Sequence, residues 1–247
     1  MSFAGDTAHA YPLILQMAHG IEFFQKSNDR RTDITTAVDV AVDVFNQMRS
    51  NYYDFPSGQY EPGDPGVNFI FGGFSWRLGR FLIWTLHYNH GTDQFTFHPV
   101  RGWKGGNEEK VLAIVGNSTR EAKVRLRQKL GDRGKLQGSG FDMEPFEVLR
   151  DMIRERVDPT IGGAPQVAKV YRFMKTKFFA VNWPTVDSPP HALGRPQLQY
   201  EQFDLPTLDP DNPEFRPKRS TAAQDFDIES YWDDLIQREG EERERER

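Results

Sequence analysis

No cysteine occurs in the 247 residues, which excludes disulfides, thiolate metal ligands and a cysteine nucleophile. There is no excess of positive charge either. The 31 Lys and Arg against 36 Asp and Glu leave a net charge of −5, so phosphate backbones and acidic lipid are not attracted overall. Neither nucleic acid nor a membrane is expected as a partner. No signal-peptide pattern and no apolar run of membrane-spanning length is present, and the expected location is the cytoplasm. Metal-ligand spacing is missing as well. His87 and His90 stand three apart on or after an extended run and so point to opposite faces, while His9 and His19 are ten apart. The Gly-rich stretch from Gly131 to Gly140 lacks the Lys-Ser/Thr ending of a phosphate-binding loop and does not follow a strand. No cofactor is expected, and no internal repeat is found.

Aromatic bulk is what the chain does have. With 19 Phe, 8 Tyr, 5 Trp and 37% hydrophobic residues, it can bury a real core. The 21 glycines and 16 prolines are unevenly spread and the last quarter has few apolar runs. The folded part therefore reads as one domain over 1–184, followed by an extended Pro-rich tail over 185–247. Asp6 is a good N-cap for a segment from Thr7 to Phe24, in which Ala10, Leu13, Ile14, Met17, Ile21 and Phe24 share one helical face. Pro12 predicts a kink or a late start there. Ser27 to Asp33 reads as a turn. A second helix then presents Val38, Ala41, Val42, Phe45 and Met48, with Asp33 or Thr35 as its cap.

The composition of Asn51 to Gly66 predicts a loop. Val67 to Phe74 and Arg80 to Tyr88 read as a buried hairpin, with Gly72-Gly73 marking a bulge or a close backbone approach. A loop around Trp103 to Asn107 precedes a short strand from Lys110 to Val115. Ser118-Thr119-Arg120-Glu121 has capping-box spacing and opens a helix from Thr119 to Leu130. Asp142 is expected to cap a further helix presenting Phe146, Leu149, Met152, Ile153 and Val157. Gln166 to Met174 and Lys177 to Trp183 form a second hairpin. In the tail, Tyr200, Phe203 and Leu205 are expected points of attachment, and Phe226 to Gln237 reads as a short helix.

The order is thus strand end, two helices, hairpin, strand, two helices, hairpin. Phe3-Ala4-Gly5-Asp6 opens the first helix, Gly72-Gly73 lies in the central strand, Ala113-Ile114-Val115-Gly116 precedes the third helix, and Asp158 to Gly163 precedes the last hairpin. In this order and these motifs residues 1–183 resemble a proteasome β-type subunit and its bacterial relatives among the N-terminal nucleophile hydrolases. The resemblance implies an α+β fold, a four-layer αββα sandwich with two antiparallel sheets face to face. It also implies an N-terminal threonine, serine or cysteine whose own amino group is the base, and which forms an ester with a peptide or amide carbonyl that water then hydrolyses. This chain opens on Met1-Ser2, and in the family the Phe3 to Asp6 stretch lies well after the nucleophile. The expectation is a sandwich lacking its first strands, an upstream segment that supplies them, and no activity in the chain as given. Strands of that kind carry several large side chains at about 1.5–3 kcal/mol each, comparable to the roughly 5–15 kcal/mol that holds a domain together.

Two residues stand as site candidates, both in supporting roles. Asp158 lies where the resemblance places an aspartate beside the nucleophile, with Gly162 and Gly163 following and Ile161 replacing a hydroxyl residue. Asp158-Pro159 also reads simply as a turn. Gly116-Asn117-Ser118 resembles the turn that supports the nucleophile's amino group, with Asn117 in place of a serine, and helix capping is a sufficient alternative role for Ser118. The basic face with Arg120, Lys123, Arg125, Arg127 and Lys129 reads as a solvated outer surface or a seat for an acidic partner. The expected function is a proteasome-like peptidase or amidohydrolase subunit that takes peptide or protein substrates and assembles as a homo-oligomer or ring. The alternative is a non-catalytic structural subunit of such an assembly.

Overall fold

Asp6 separates the first strand from the first helix. In the computed structural model, which describes residues 1–23, 25–28, 31–51, 65–102, 111–137, 140–172, 175–201 and 204–213, β1 (Ser2–Gly5) leads directly into α1 (Thr7–Phe23). The Asp6 carboxylate accepts the Ala8 N–H at 2.8 Å and lies 3.0 Å from His9 Nδ1, the geometry expected of its capping role. α1 runs unbroken from Thr7 through Pro12, so the late start does not occur. Burial of Ala10, Leu13 and Met17 on one stripe outweighs the single helical hydrogen bond that Pro12 removes.

After a single turn, α2 (Gln25–Asn28), comes α3 (Ile34–Asn51), and its cap decides how it sits. Asp33 Oδ1 accepts the Thr35 N–H at 3.1 Å and the Thr35 hydroxyl at 2.9 Å. The same carboxylate accepts the Ser75 hydroxyl at 3.0 Å and the Arg77 N–H at 3.3 Å. Ser75 ends β2 (Val67–Ser75), so one side chain fastens the helix start to the first sheet. Asp33 is wholly enclosed, with 0% exposure. Burial pushes its carboxyl up, but the donors from Thr35, Arg77 and Ser75 hold it below the ordinary aspartate value.

The first sheet runs β1-β2-β3-β4, all antiparallel, with β3 at Arg80–Asn89 and β4 at Gln94–Pro99. Gly72 and Gly73 sit in unbroken register opposite Ile83 and Leu82, so there is no bulge. They permit a close approach instead. A Cβ on Gly73 would lie 2.9 Å from Ile34 Cδ1 at the start of α3. β4 was not expected, although Phe95 and Phe97 alternate with Thr96 and His98 as a strand requires. Val67, Phe69, Phe71, Trp84, Leu86 and Phe95 turn one face of the sheet towards α1 and α3. The Phe45 ring of α3 packs 4.9 Å from Phe69 and 5.5 Å from Phe95, centroid to centroid.

The strand expected over Lys110 to Val115 does not form. Lys110 lies outside the described residues, Val111 makes one isolated bridge to Gly102, and 112–115 has no ladder. A strand needs a hydrogen-bonded partner, and among the described residues no ladder forms to this segment beyond the Val111–Gly102 bridge. α4 (Thr119–Asp132) and α5 (Glu144–Arg154) then pack through Leu126 and Leu130 on Val148 and Met152. Asp142 does not cap α5: the N-cap position is Met143, with no side-chain cap bond. Lys135 Nζ takes the Asp142 carboxylate at 2.5 Å, leaving it committed elsewhere.

The second sheet is ordered β5 (Val167–Val170), β6 (Thr176–Asn182), β7 (Pro190–Ala192), β8 (Arg195–Pro196), all antiparallel, and β9 (Thr207–Leu208) joins β6 in parallel. The fold is therefore mixed α+β with two mainly antiparallel sheets. It does not stop at 184: three strands beyond Pro184 complete the second sheet, and the first compact unit spans Met1–Glu214. Leu208 is buried with Phe179 and Val181, which explains why the segment is held although it carries no periodic apolar stripe. Tyr200 is 84% exposed and does not attach the segment. Phe203, the two expected loops at 52–64 and 103–107, and the second unit, Phe215–Arg247, with its expected helix at 226–237, lie outside the described residues. Among the described residues no helix is long and apolar enough to cross a membrane.

Replacing Asp33 with alanine is expected to lower the unfolding free energy by about 1–3 kcal/mol in urea titrations at neutral pH, through loss of the cap and of acceptors for enclosed donors. The folded carboxyl titrates below its unfolded value, so its contribution is complete above the unfolded pKa and disappears as pH falls through the folded one. The gap between wild type and Asp33→Ala should therefore close in acid.

Candidate functional site

Among the described residues, two hollows lie against the face of the first sheet turned away from α1 and α3. The larger, about 850 Å³, is bounded by β1, by 112–116, by the facing sides of α4 and α5 and by Thr160–Gly162. The smaller, about 550 Å³, lies between Ile70, Phe81 and Ile83 of the first sheet and Val167, Phe178 and Phe179 of the second. Both are lined mainly by apolar groups. The outer edge of β1 borders the larger one, and among the described residues no strand is paired with that edge.

Polar groups gather at one corner of the larger cavity. Gly116 turns the chain with φ +120°, next to Ala4 of β1, and delivers Asn117 and Ser118 to the start of α4. Ser118 occupies the N-cap position, but its side chain makes no cap bond and Glu121 pairs with Arg125 at 2.7 Å, so the capping box is not realised. The Ser118 hydroxyl donates to Asp158 Oδ2 at 2.5 Å, across 40 residues of sequence. Asp158 Oδ1 accepts the Thr160 N–H at 2.8 Å and the Thr160 hydroxyl at 2.6 Å, and Asn117 Nδ2 donates to Thr160 Oγ1 at 3.3 Å. The Ser118 hydroxyl first, then Thr160 through its hydroxyl and its N–H, hold the half-buried Asp158 carboxyl below its ordinary value.

The two site candidates from the sequence are thus brought into direct contact. Asp158 does form a turn with Thr160, as its neighbour Pro159 suggested, and that turn aims its second oxygen at Ser118. Ile161 contributes no hydroxyl and packs on the Leu126, Leu130, Val148 and Met152 cluster. Thr160, one position earlier, supplies the hydroxyl instead. Sequence reasoning missed Thr160, although Asp-x-Thr is the spacing of a side-chain turn that bonds its own backbone. His87 stacks on His98 across β3 and β4 at 4.7 Å, away from this corner, and burial followed by the neighbouring His98 lowers its pKa.

The chemistry of the corner follows from proton placement. Ser118 spends its proton on Asp158, so its oxygen offers lone pairs to an N–H or ammonium donor. A carboxylate held low is a weak base, and among the described residues no His or Lys is hydrogen-bonded to Ser118 or Asp158. Among the described residues no group of three or more His, Asp or Glu is placed to hold a metal ion. The arrangement can orient a donor group at the edge of an apolar cavity. Comparison with protein families, with curated proteins and with solved structures gives no match to this chain.

Ser118→Ala is expected to raise the Asp158 pKa towards that of an unperturbed carboxylate, read from the ¹³C carboxyl shift in an NMR titration. An unchanged Asp158 titration would show that the Ser118 hydrogen bond does not form in solution.

Proposed function

We propose that the chain is a subunit of a proteasome-like peptidase or amidohydrolase assembly, built as a four-layer αββα sandwich, in which Ser118 and Asp158 support a reacting amino group. The observation that carries this is the Ser118–Asp158 hydrogen bond at the mouth of the larger cavity. These two positions were singled out from a resemblance, and they lie 40 residues apart with no local reason to meet. The cavity beside them is apolar and borders a strand edge with no ladder partner among the described residues, which suits an extended chain segment whose backbone completes the ladder. Packing of α1 and α3 on one side of the first sheet, and of Met143 and Phe146 on the second sheet, fits helices outside two facing sheets.

A second reading, a non-catalytic structural subunit of a ring, is favoured by the outer surface of α1. Tyr11 is 64% exposed, and Leu15 and Ala18 follow it on the same stripe, ahead of a strongly exposed Phe23. An apolar helix stripe of this kind is suited to a neighbouring copy.

Short fluorogenic peptides should not be turned over by these 247 residues, because among the described residues the partner of Ser118 is a carboxylate held low, a weak base. Turnover that disappears in Ser118→Ala would make Ser118 the nucleophile and overturn the supporting role. Native mass spectrometry and negative-stain images should show rings or other closed oligomers, and a monomer at micromolar concentration would refute the assembly. Rings without proteolysis in any preparation would favour the structural subunit.

A further inference from the structure

The net charge of −5 conceals one strongly basic end. The β2–β3 turn carries Trp76-Arg77-Leu78-Gly79-Arg80, and the β5–β6 turn is flanked by Lys169-Val170-Tyr171-Arg172 and Lys175-Thr176-Lys177. The two turns lie side by side: the Arg172 guanidinium sits 5.5 Å from the Phe74 ring at the end of β2. Six cations are thereby collected with no Asp or Glu in either run, and Arg77, Arg80, Lys175 and Lys177 form no ion pair among the described residues. Asp33, which accepts the Arg77 N–H, is enclosed.

Large apolar groups stand out from the same turns. Trp76 is 53% exposed, Leu78 55%, Tyr171 40% and Val170 38%. Trp76, Leu78 and Tyr171 belong to none of the buried apolar clusters, while Val170 also lines the smaller hollow. We propose that this end is a surface that binds an anionic lipid bilayer, the Trp76–Leu78 and Val170–Tyr171 tips entering the headgroup region while Arg77, Arg80, Arg172, Lys175 and Lys177 contact lipid phosphates and carboxylates.

Exposure and ring placement favour a bilayer over other polyanions. Trp76, Leu78 and Tyr171 are exposed, and a bilayer accepts projecting apolar groups without a complementary pocket. A basic collar around exposed Trp and Tyr matches what interfacial residues do, with aromatic bodies at headgroup depth and long cationic side chains reaching outwards. Single-stranded nucleic acid would need free ring faces for its bases. Here a cation already covers one face of each ring: Arg77 lies 5.3 Å from Trp76, Lys169 5.2 Å from Tyr171 and Arg172 5.5 Å from Phe74. Aliphatic Leu78 and Val170 have no part in base stacking. Neutralisation of the whole chain is not required, because lipid charge is screened within about 8–10 Å and only the near end is felt.

Co-sedimentation of the full chain with extruded vesicles tests the proposal. Binding to phosphatidylcholine vesicles holding about 30 mol% phosphatidylserine should be at least tenfold tighter than to phosphatidylcholine alone, and should weaken as salt is raised. The double variant Arg77→Glu/Arg80→Glu, the separate variant Lys175→Glu/Lys177→Glu on the other tip, and Trp76→Ser/Leu78→Ser should each weaken it by about tenfold or more. These side chains are exposed, so urea midpoints should stay unchanged. Equal binding to both kinds of vesicle, or variants without effect, would overturn it. So would tight binding of oligouridylate with no vesicle binding, which would make the end a nucleic-acid surface. A change of native mass in the variants with no vesicle binding would make it a contact between copies, and would equally overturn the lipid assignment while leaving the Ser118–Asp158 reading untouched.

Discussion

The buried Asp33 carboxylate is the constraint on which the first half of the molecule depends. An enclosed carboxylate is costly unless its lone pairs are filled, and here they are filled by groups from two different elements. The start of α3 and the end of β2 must therefore meet at one point, and the Ile34 side chain lies close against Gly73. From that point outward Val38, Ala41 and Phe45 share one buried cluster with Phe69, Leu86 and Phe95, and the Phe45 ring packs on Phe69 and Phe95. Polar satisfaction sets the register of the helix on the sheet, and apolar packing supplies the stabilisation.

Legibility in the sequence tracked how local the controlling interaction was. The Asp6 cap, the face of α3 and the β2–β3 hairpin were read correctly because each is decided within a few residues. Ser118 and Asp142 were misread as caps for the opposite reason. Each has a local role open to it, but a partner far along the chain or in the next loop takes the side chain instead, Asp158 in one case and Lys135 in the other. The 112–115 segment has the composition of a strand and is not one, because a ladder is a property of two segments, and among the described residues no partner is hydrogen-bonded to it. β7 to β9 were hidden differently. They are two or three residues long, too short for any period to show, and they are held by burial of Leu208 and Ala192.

The candidate site was half visible. Ser118 and Asp158 could be named from a motif resemblance, while the cluster that makes them a unit includes Asn117 and Thr160, which were assigned no part. Ile161 packs in the apolar cluster, and the adjacent Thr160 donates its hydroxyl and its N–H to Asp158. The same carboxylate thereby orders its own loop and fixes the serine across the cavity mouth. The corner is rigid in the sense that every polar atom named in it has a partner, and it points towards an apolar hollow.

The edge of β1 has a consequence of its own. Ser2, Phe3, Ala4 and Gly5 include no charge, no proline and no bulge, the devices by which open sheet borders usually avoid recruiting other chains. A border so undefended is a template for intermolecular zippering, so yield and solubility of this polypeptide become matters of concentration and of what is offered to that border during folding.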